Sequence, residues 1–143
     1  MRARVYAAGK LKDAGLERMC ATYCKRARPF MPVELVEVRA AAGLRKRLQS
    51  RDPAVRILLD ERGEQLTTRE LAGWIQGYRE RGARSLELFI GDAHGFNDED
   101  RAGADRLLAL SRLTLPHRLV RVVLLEQLYR AASLLAGHPY HHD

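Results

Sequence analysis

The chain ends Gly137-His138-Pro139-Tyr140-His141-His142-Asp143, which puts three histidines within five residues and a tyrosine among them. An imidazole titrates near neutrality and can accept or relay a proton. A phenol ring can stack on an unpaired base. Pro139 has no N–H and keeps the residue before it extended, so the tail does not continue a helix and can reach a second subunit's pocket. Histidines this close could also hold a metal or be incidental; no metal is expected.

A second segment with chemical content is Ser111-Arg112-Leu113-Thr114-Leu115-Pro116-His117. It offers backbone N–H and C=O groups, a hydroxyl and apolar side chains. That set suits an adenine joined to a thioether or sulfonium: backbone groups bond the base edge, and a methyl donor lies against leucine and proline. A plain strand-to-helix connection with proline near the helix start accounts for the same residues. Chemistry alone does not separate these readings. Other signatures are absent: there is no GxxxxGK[ST] loop, no GxSxG and no HExxH, and the Gly91–Gly95 turn is not GxGxxG.

Strand and helix patterns alternate around these segments. Strands are expected at Arg2–Ala8, Val33–Val38, 55–59, 86–90 and, more weakly, 106–110; residues 60–63 should turn the chain. Helical spacing covers 11–28, 40–50, a stretch opened by the capping box Thr67-Thr68-Arg69-Glu70, a short helix capped by Asn97–Asp100, and 118–136. The pattern is that of a single domain over residues 1–143, of class α/β, with a mostly parallel sheet and helices on both faces. Such sheets bind ligands beyond the carboxyl ends of their strands. Three turns qualify, after Leu59, Ile90 and Leu110.

The last helix is apolar almost all round, with Arg121 the only polar residue between Leu119 and Leu125. A helix of this kind is either central or lies in a subunit interface, and a homodimer is expected. Arg121, Glu126 and Arg130 must then be paired or face a ligand.

Composition narrows the class. At 46% hydrophobic and 30% charged, the 143 residues describe a globular domain rather than a disordered tail. No run approaches the roughly 18 apolar residues of a membrane span, and the N-terminus has no signal-type apolar stretch, so a cytoplasmic protein is expected. Lysine and arginine exceed aspartate and glutamate by 25 − 18 = 7, a balance that attracts polyanions. Arg45, Lys46 and Arg47 read as a solvated helix face. Cys20 and Cys24, four apart on a helix, read as reduced, partly buried thiols.

Five blocks carry a resemblance: VYAAGK, MPVELVEV, ILLDERG, FIG, and above all LTLPHRLVRVVLLEQLYRA followed by GHPYH. Together they resemble the RlmH family of small SPOUT-class methyltransferases from end to end. The resemblance implies a C-terminal deep trefoil knot (the α/β-knot), a homodimer, and S-adenosylmethionine as cofactor. It further implies methylation of N3 of a pseudouridine in helix 69 of 23S ribosomal RNA, within the assembled large subunit. Carried over residue by residue, the cofactor contacts are Leu59, Gly91, Asp92, Ser111, Arg112, Leu113, Thr114, Leu115 and Pro116. Arg130 would stabilise the developing imide anion, and Tyr140 and His141 from the partner's tail would position the base and take its proton. His117, Arg118 and Arg121 are candidate RNA contacts, although Arg121 serves equally as an internal pair.

One departure stands out. Where the family has Gly-Gly, this chain has Gly91-Asp92, which strains the turn if a left-handed residue is needed there. Two other outcomes remain open: a knotted methyltransferase for another RNA such as tRNA, and a non-catalytic ribosome-associated RNA-binding protein, which Asp92 alone favours.

Overall fold

The computed structural model describes residues 1–142; Asp143, the end of the expected tail, lies outside the described residues. The elements follow as β1 (Arg2–Ala8), α1 (Ala14–Ala27), β2 (Val33–Val38), α2 (Ala41–Leu48), β3 (Val55–Gln65), α3 (Thr68–Glu80), β4 (Ser85–Ile90), α4 (Asp98–Ala102), β5 (Arg106–Ala109) and α5 (His117–Leu135). The five strands are all parallel, in the order β2-β1-β4-β3-β5.

Alternation along the strands divides the side chains between two faces. Val5, Ala7, Ile57, Leu88 and Ile90 enter one core with α1, α3 and α5. Tyr6, Leu58 and Phe89 enter a second with Leu44 and Leu48 of α2 and with Phe96. Helix α5 lies against both α1 and α3, so its apolar girth is covered largely within one chain. Of the two explanations for that girth, the central helix is the one observed. A subunit interface is not needed to account for it.

Local signals set the boundaries. Thr67 and Glu70 form the expected capping box, and Asn97 with Asp100 forms another. Helix α1 starts at Ala14, not at residue 11, because the Asp13 carboxylate accepts the Leu16 N–H and fixes the N-cap there. Leu11 is fully buried ahead of the helix. Strand β3 runs six residues past its expected end at residue 59, through the expected turn to Gln65. It does so with a register shift, so that Leu59 and Glu64 both oppose Leu108.

That shift depends on Gly63. A Cβ there would lie 2.5 Å from the Leu108 nitrogen and 2.6 Å from the Leu107 carbonyl carbon. Gly63→Ala therefore should cost about 1–3 kcal/mol by overpacking. A urea melt with the parent's midpoint would show that β3 and β5 do not meet so closely.

The basic run on α2 is less solvated than expected. Arg47 reaches Glu87, a carboxylate only 1% exposed in the middle of β4, while Arg45 pairs with Asp100. Arg56 and the Tyr6 hydroxyl complete the shell around Glu87. A buried carboxylate needs such partners to stay charged. Both cysteines are free thiols. Burial pushes the Cys20 thiol up to about 11 and raises Cys24. Neither should react readily with a disulfide reagent at pH 8, since the thiolate is the nucleophile; rapid stoichiometric labelling would contradict this.

Candidate cofactor cleft and catalytic cluster

The turns expected after Ile90 and Leu110 converge with residues 59–61, which continue β3 instead of turning. A cleft of about 780 Å³, counted to its open mouth, lies beyond the carboxyl ends of β4 and β5 and beside residues 59–61 in the middle of β3. Its walls include Leu59, Gly91, Asp92, Ser111, Arg112, Leu113, Thr114 and Leu115, with His117 at the start of α5. Pro116 caps the N-terminus of α5 just beyond the wall. Sequence reasoning missed Asp60, Ile90, Gly95, Leu110 and Val120, which also line the cleft. Asp60 had a signal, since it directly follows Leu59; its carboxylate is held by the Arg101 Nε at 2.8 Å.

The segment after β5 has little to bond internally. Across residues 112–115, the one N–H with a partner among the described residues is that of Leu113, which donates to the Ser111 hydroxyl. The N–H groups of Arg112, Thr114 and Leu115 remain for a ligand. Leu113 stands at the mouth with 77% of its surface exposed.

Asp92 fits its turn without strain. Among the described non-glycine residues only Lys12 has positive φ, so Asp92 is in the ordinary region. Its carboxylate accepts the His94 N–H at 2.9 Å, as turn aspartates do. The left-handed position falls instead on Gly95, at φ +69°. Gly91 is needed for close approach: a Cβ would come within 3.2 Å of the Phe96 ring and 3.3 Å of Gly95 Cα.

Arg130, Tyr140 and His141 form a second group, away from this cleft. Val120 lines the cleft and Arg130 lies ten residues further along α5, about 15 Å away at 1.5 Å per residue. The tail folds back on its own helix. The Tyr140 ring sits 4.4 Å from Tyr129, centroid to centroid, and the Arg130 guanidinium lies 4.6 Å over the Tyr140 ring. His141 Nδ1 is 3.4 Å from Arg130 Nη1. Glu126 organises the group: one carboxylate oxygen accepts the Arg130 Nε–H at 2.8 Å and the Tyr140 hydroxyl at 3.1 Å. Its i,i+4 spacing to Arg130 was the available signal. The hydrogen bond to Glu126 raises Arg130 further above its already high value, so the guanidinium stays charged. Burial and the Glu126 charge push the Tyr140 phenol up, so it keeps its proton through the neutral range.

Arg121 is removed from the RNA-facing candidates. It is 1% exposed, and its guanidinium donates to the Ala8 carbonyl at 2.7 Å, the Gly9 carbonyl at 2.8 Å and Glu37 at 3.0 Å. It is the internal pair. His117 and Arg118 are exposed.

A family model described as "Predicted SPOUT methyltransferase" matches residues 1–141. A protein of Geobacter metallireducens named "Ribosomal RNA large subunit methyltransferase H" is 44% identical, with the whole of both chains covered. One of the same name from Gloeobacter violaceus is 41% identical over 99% of each. Among solved structures, a "Probable Methyltransferase from Bordetella pertussis Tohama I" superposes with a TM-score of 0.59 over 92% of this chain and 96% of that one. At 13% identity it is a likeness of fold.

Proposed function

The chain belongs to the SPOUT methyltransferase family, and we infer that it is an S-adenosylmethionine-dependent methyltransferase of 23S ribosomal RNA. The observation that carries this is identity along the full chain to proteins named for that activity, joined to a cleft at the ends of β4 and β5 beside the middle of β3. Asp92, the one feature that favoured a non-catalytic protein, is unstrained and does not oppose catalysis.

The cleft residues fit the cofactor. Leu59, Ile90, Leu115 and Val120 supply apolar surface, and the unspent N–H groups of residues 112–115 suit an adenine edge. Leu59, Gly91, Asp92 and Ser111–Pro116 would hold it, with Leu113 closing over the mouth. When bound, S-adenosylmethionine supplies a methyl group made electrophilic by its sulfonium.

The finer target is N3 of a pseudouridine in helix 69. An imide N–H is mostly protonated at neutral pH, so its proton must leave as the nitrogen becomes a nucleophile. Arg130, kept charged by Glu126, stabilises the negative charge that develops on the imide. Tyr140, a neutral phenol, donates to an imide oxygen or stacks on the base. His141 takes the proton and passes it to solvent. Most of the acceleration comes from holding the imide nitrogen in line, worth up to roughly 7–11 kcal/mol.

A single chain separates these groups from its own cleft, which supports a homodimer in which each tail and Arg130 serve the partner's cleft. Mixing Arg130→Ala chains with chains mutated in the cleft tests it: activity returns in the mixture if the site is shared, and stays absent if each chain works alone. The trefoil knot belongs to this proposal as well. Membership of the SPOUT family supports it; the chain crossings in an experimental structure test it. A cytoplasmic location is in keeping with a ribosomal substrate, and no helix among the described residues is long and apolar enough to cross a membrane.

A further inference from the structure

Besides the cleft, the carboxyl edge of the sheet carries a second organised feature, the loop between β1 and α1. Leu11 plugs this loop into the core, and its N–H donates to Glu37 Oε2 at 2.8 Å. From the other side Arg121 clamps the carbonyls of Ala8 and Gly9. The loop is therefore fixed at both ends, and the residues flanking Leu11, Lys10 and Lys12, are left exposed. Lys12 is held at φ +54°, the one described non-glycine residue with positive φ. Such conformations persist only where the surroundings enforce them, and they cluster at functional positions.

The loop is continuous with the catalytic edge. The Gly9 N–H donates to the Val38 carbonyl at 2.7 Å, which places exposed Arg39 beside it. Strand β1 neighbours β4, whose end forms the cleft wall. Exposed Arg118 lies one helical turn before the clamp residue Arg121. Lys10, Lys12, Arg39 and Arg118 make no ion pair among the described residues. The nearby acids are occupied: Asp13 caps α1, Glu37 holds Arg121 and Leu11, and Asp92 holds His94.

We propose that Lys10 and Lys12, presented by this clamped loop, together with Arg39 and Arg118 form a phosphate-docking rim that seats the RNA backbone beside the cofactor cleft. This rests on the ribosomal RNA reading above. A clamped loop loses little freedom on binding, so the lysines act as preorganised phosphate contacts rather than as a diffuse positive field. Base identity is left to the catalytic group, since phosphate contacts position and do not specify.

The test is the affinity of the full-length protein for isolated large ribosomal subunits as potassium chloride is raised. Each phosphate contact contributes about 0.7–0.9 to the slope of log affinity against log salt. Lys10→Ala/Lys12→Ala should lower that slope by about 1.5 and weaken binding about tenfold at low salt, with the kinetic loss falling mainly on KM. Lys12→Arg should bind like the parent. Lys12→Gly keeps the left-handed backbone and deletes the charge, so it should fold at least as well yet bind more weakly. A control pair at the other end of the sheet, Lys46→Ala/Arg51→Ala, should not change the slope. If the double variant methylates large-subunit RNA with the parent's affinity and slope, the rim is overturned while the activity stands. If the parent neither binds nor methylates that RNA, the functional reading falls and the rim falls with it.

Discussion

Arg130→Ala should lower turnover about 100- to 1,000-fold, the usual loss when one preorganised donor to a developing anion is removed, while S-adenosylmethionine affinity stays within about threefold. The asymmetry follows from position. Arg130 lies about 15 Å along α5 from the wall of its own cleft, by helix rise, and its side chain is engaged with Glu126, Tyr140 and His141. None of these contacts belongs to the cofactor wall. Removing the guanidinium therefore deletes charge stabilisation and leaves the cleft intact. Arg130→Lys keeps the charge but not the planar fork that bonds Glu126 and overlies Tyr140, so it should recover only part of the rate. Single-turnover rates with large subunits, beside calorimetry with cofactor alone, check this. Unchanged turnover, or equal losses in turnover and cofactor binding, would contradict the role.

Arg121→Met should destabilise the fold by about 3–5 kcal/mol, the range found when one partner of a buried pair is deleted. Methionine fills the space but leaves the Ala8 and Gly9 carbonyls without their donor and Glu37 without its cation. Burial also lowers Arg121 from its ordinary value, and its Nε is buried without a partner. The cost of burying this charge is thus already borne by the fold, and the two carbonyls and one carboxylate are what offset it. Because Glu37 is partly exposed, water can rehydrate it, which favours the lower end of the range. Urea melts of parent and variant measure the difference. A loss under about 1 kcal/mol would mean that the clamp is replaceable by solvent.

Much of this was legible in the residues. Alternation marked the half-exposed β2, continuous apolar runs marked the strands buried on both faces such as β4, and period-3.6 spacing with clear caps at Thr67 and Asn97 marked helices. What periodicity missed was long-range. The extension of β3 through residues 60–65 is charged and reads as a turn, yet it pairs because β5 lies beside it and Gly63 lets the backbones approach. Glu87 looks out of place in an apolar strand until Arg47, Arg56 and Tyr6 converge on it from three other elements. Arg121 was ambiguous for the same reason: its partners lie more than 80 residues away in sequence. The cleft wall after β5 was readable because its residues are contiguous. The link between Glu126 and Tyr140 was not, because it depends on the tail folding back onto α5.

The most direct measurement of the central claim is methyl transfer from isotopically labelled S-adenosylmethionine to ribosomal RNA, followed by mass spectrometry of the nuclease fragments. The purified chain would be offered assembled ribosomes lacking the modification. The account predicts one labelled methyl, on N3 of a pseudouridine in the helix 69 fragment of the large subunit, and its loss with Arg130→Ala. Label confined to another RNA, or no label although the cofactor binds, would contradict it.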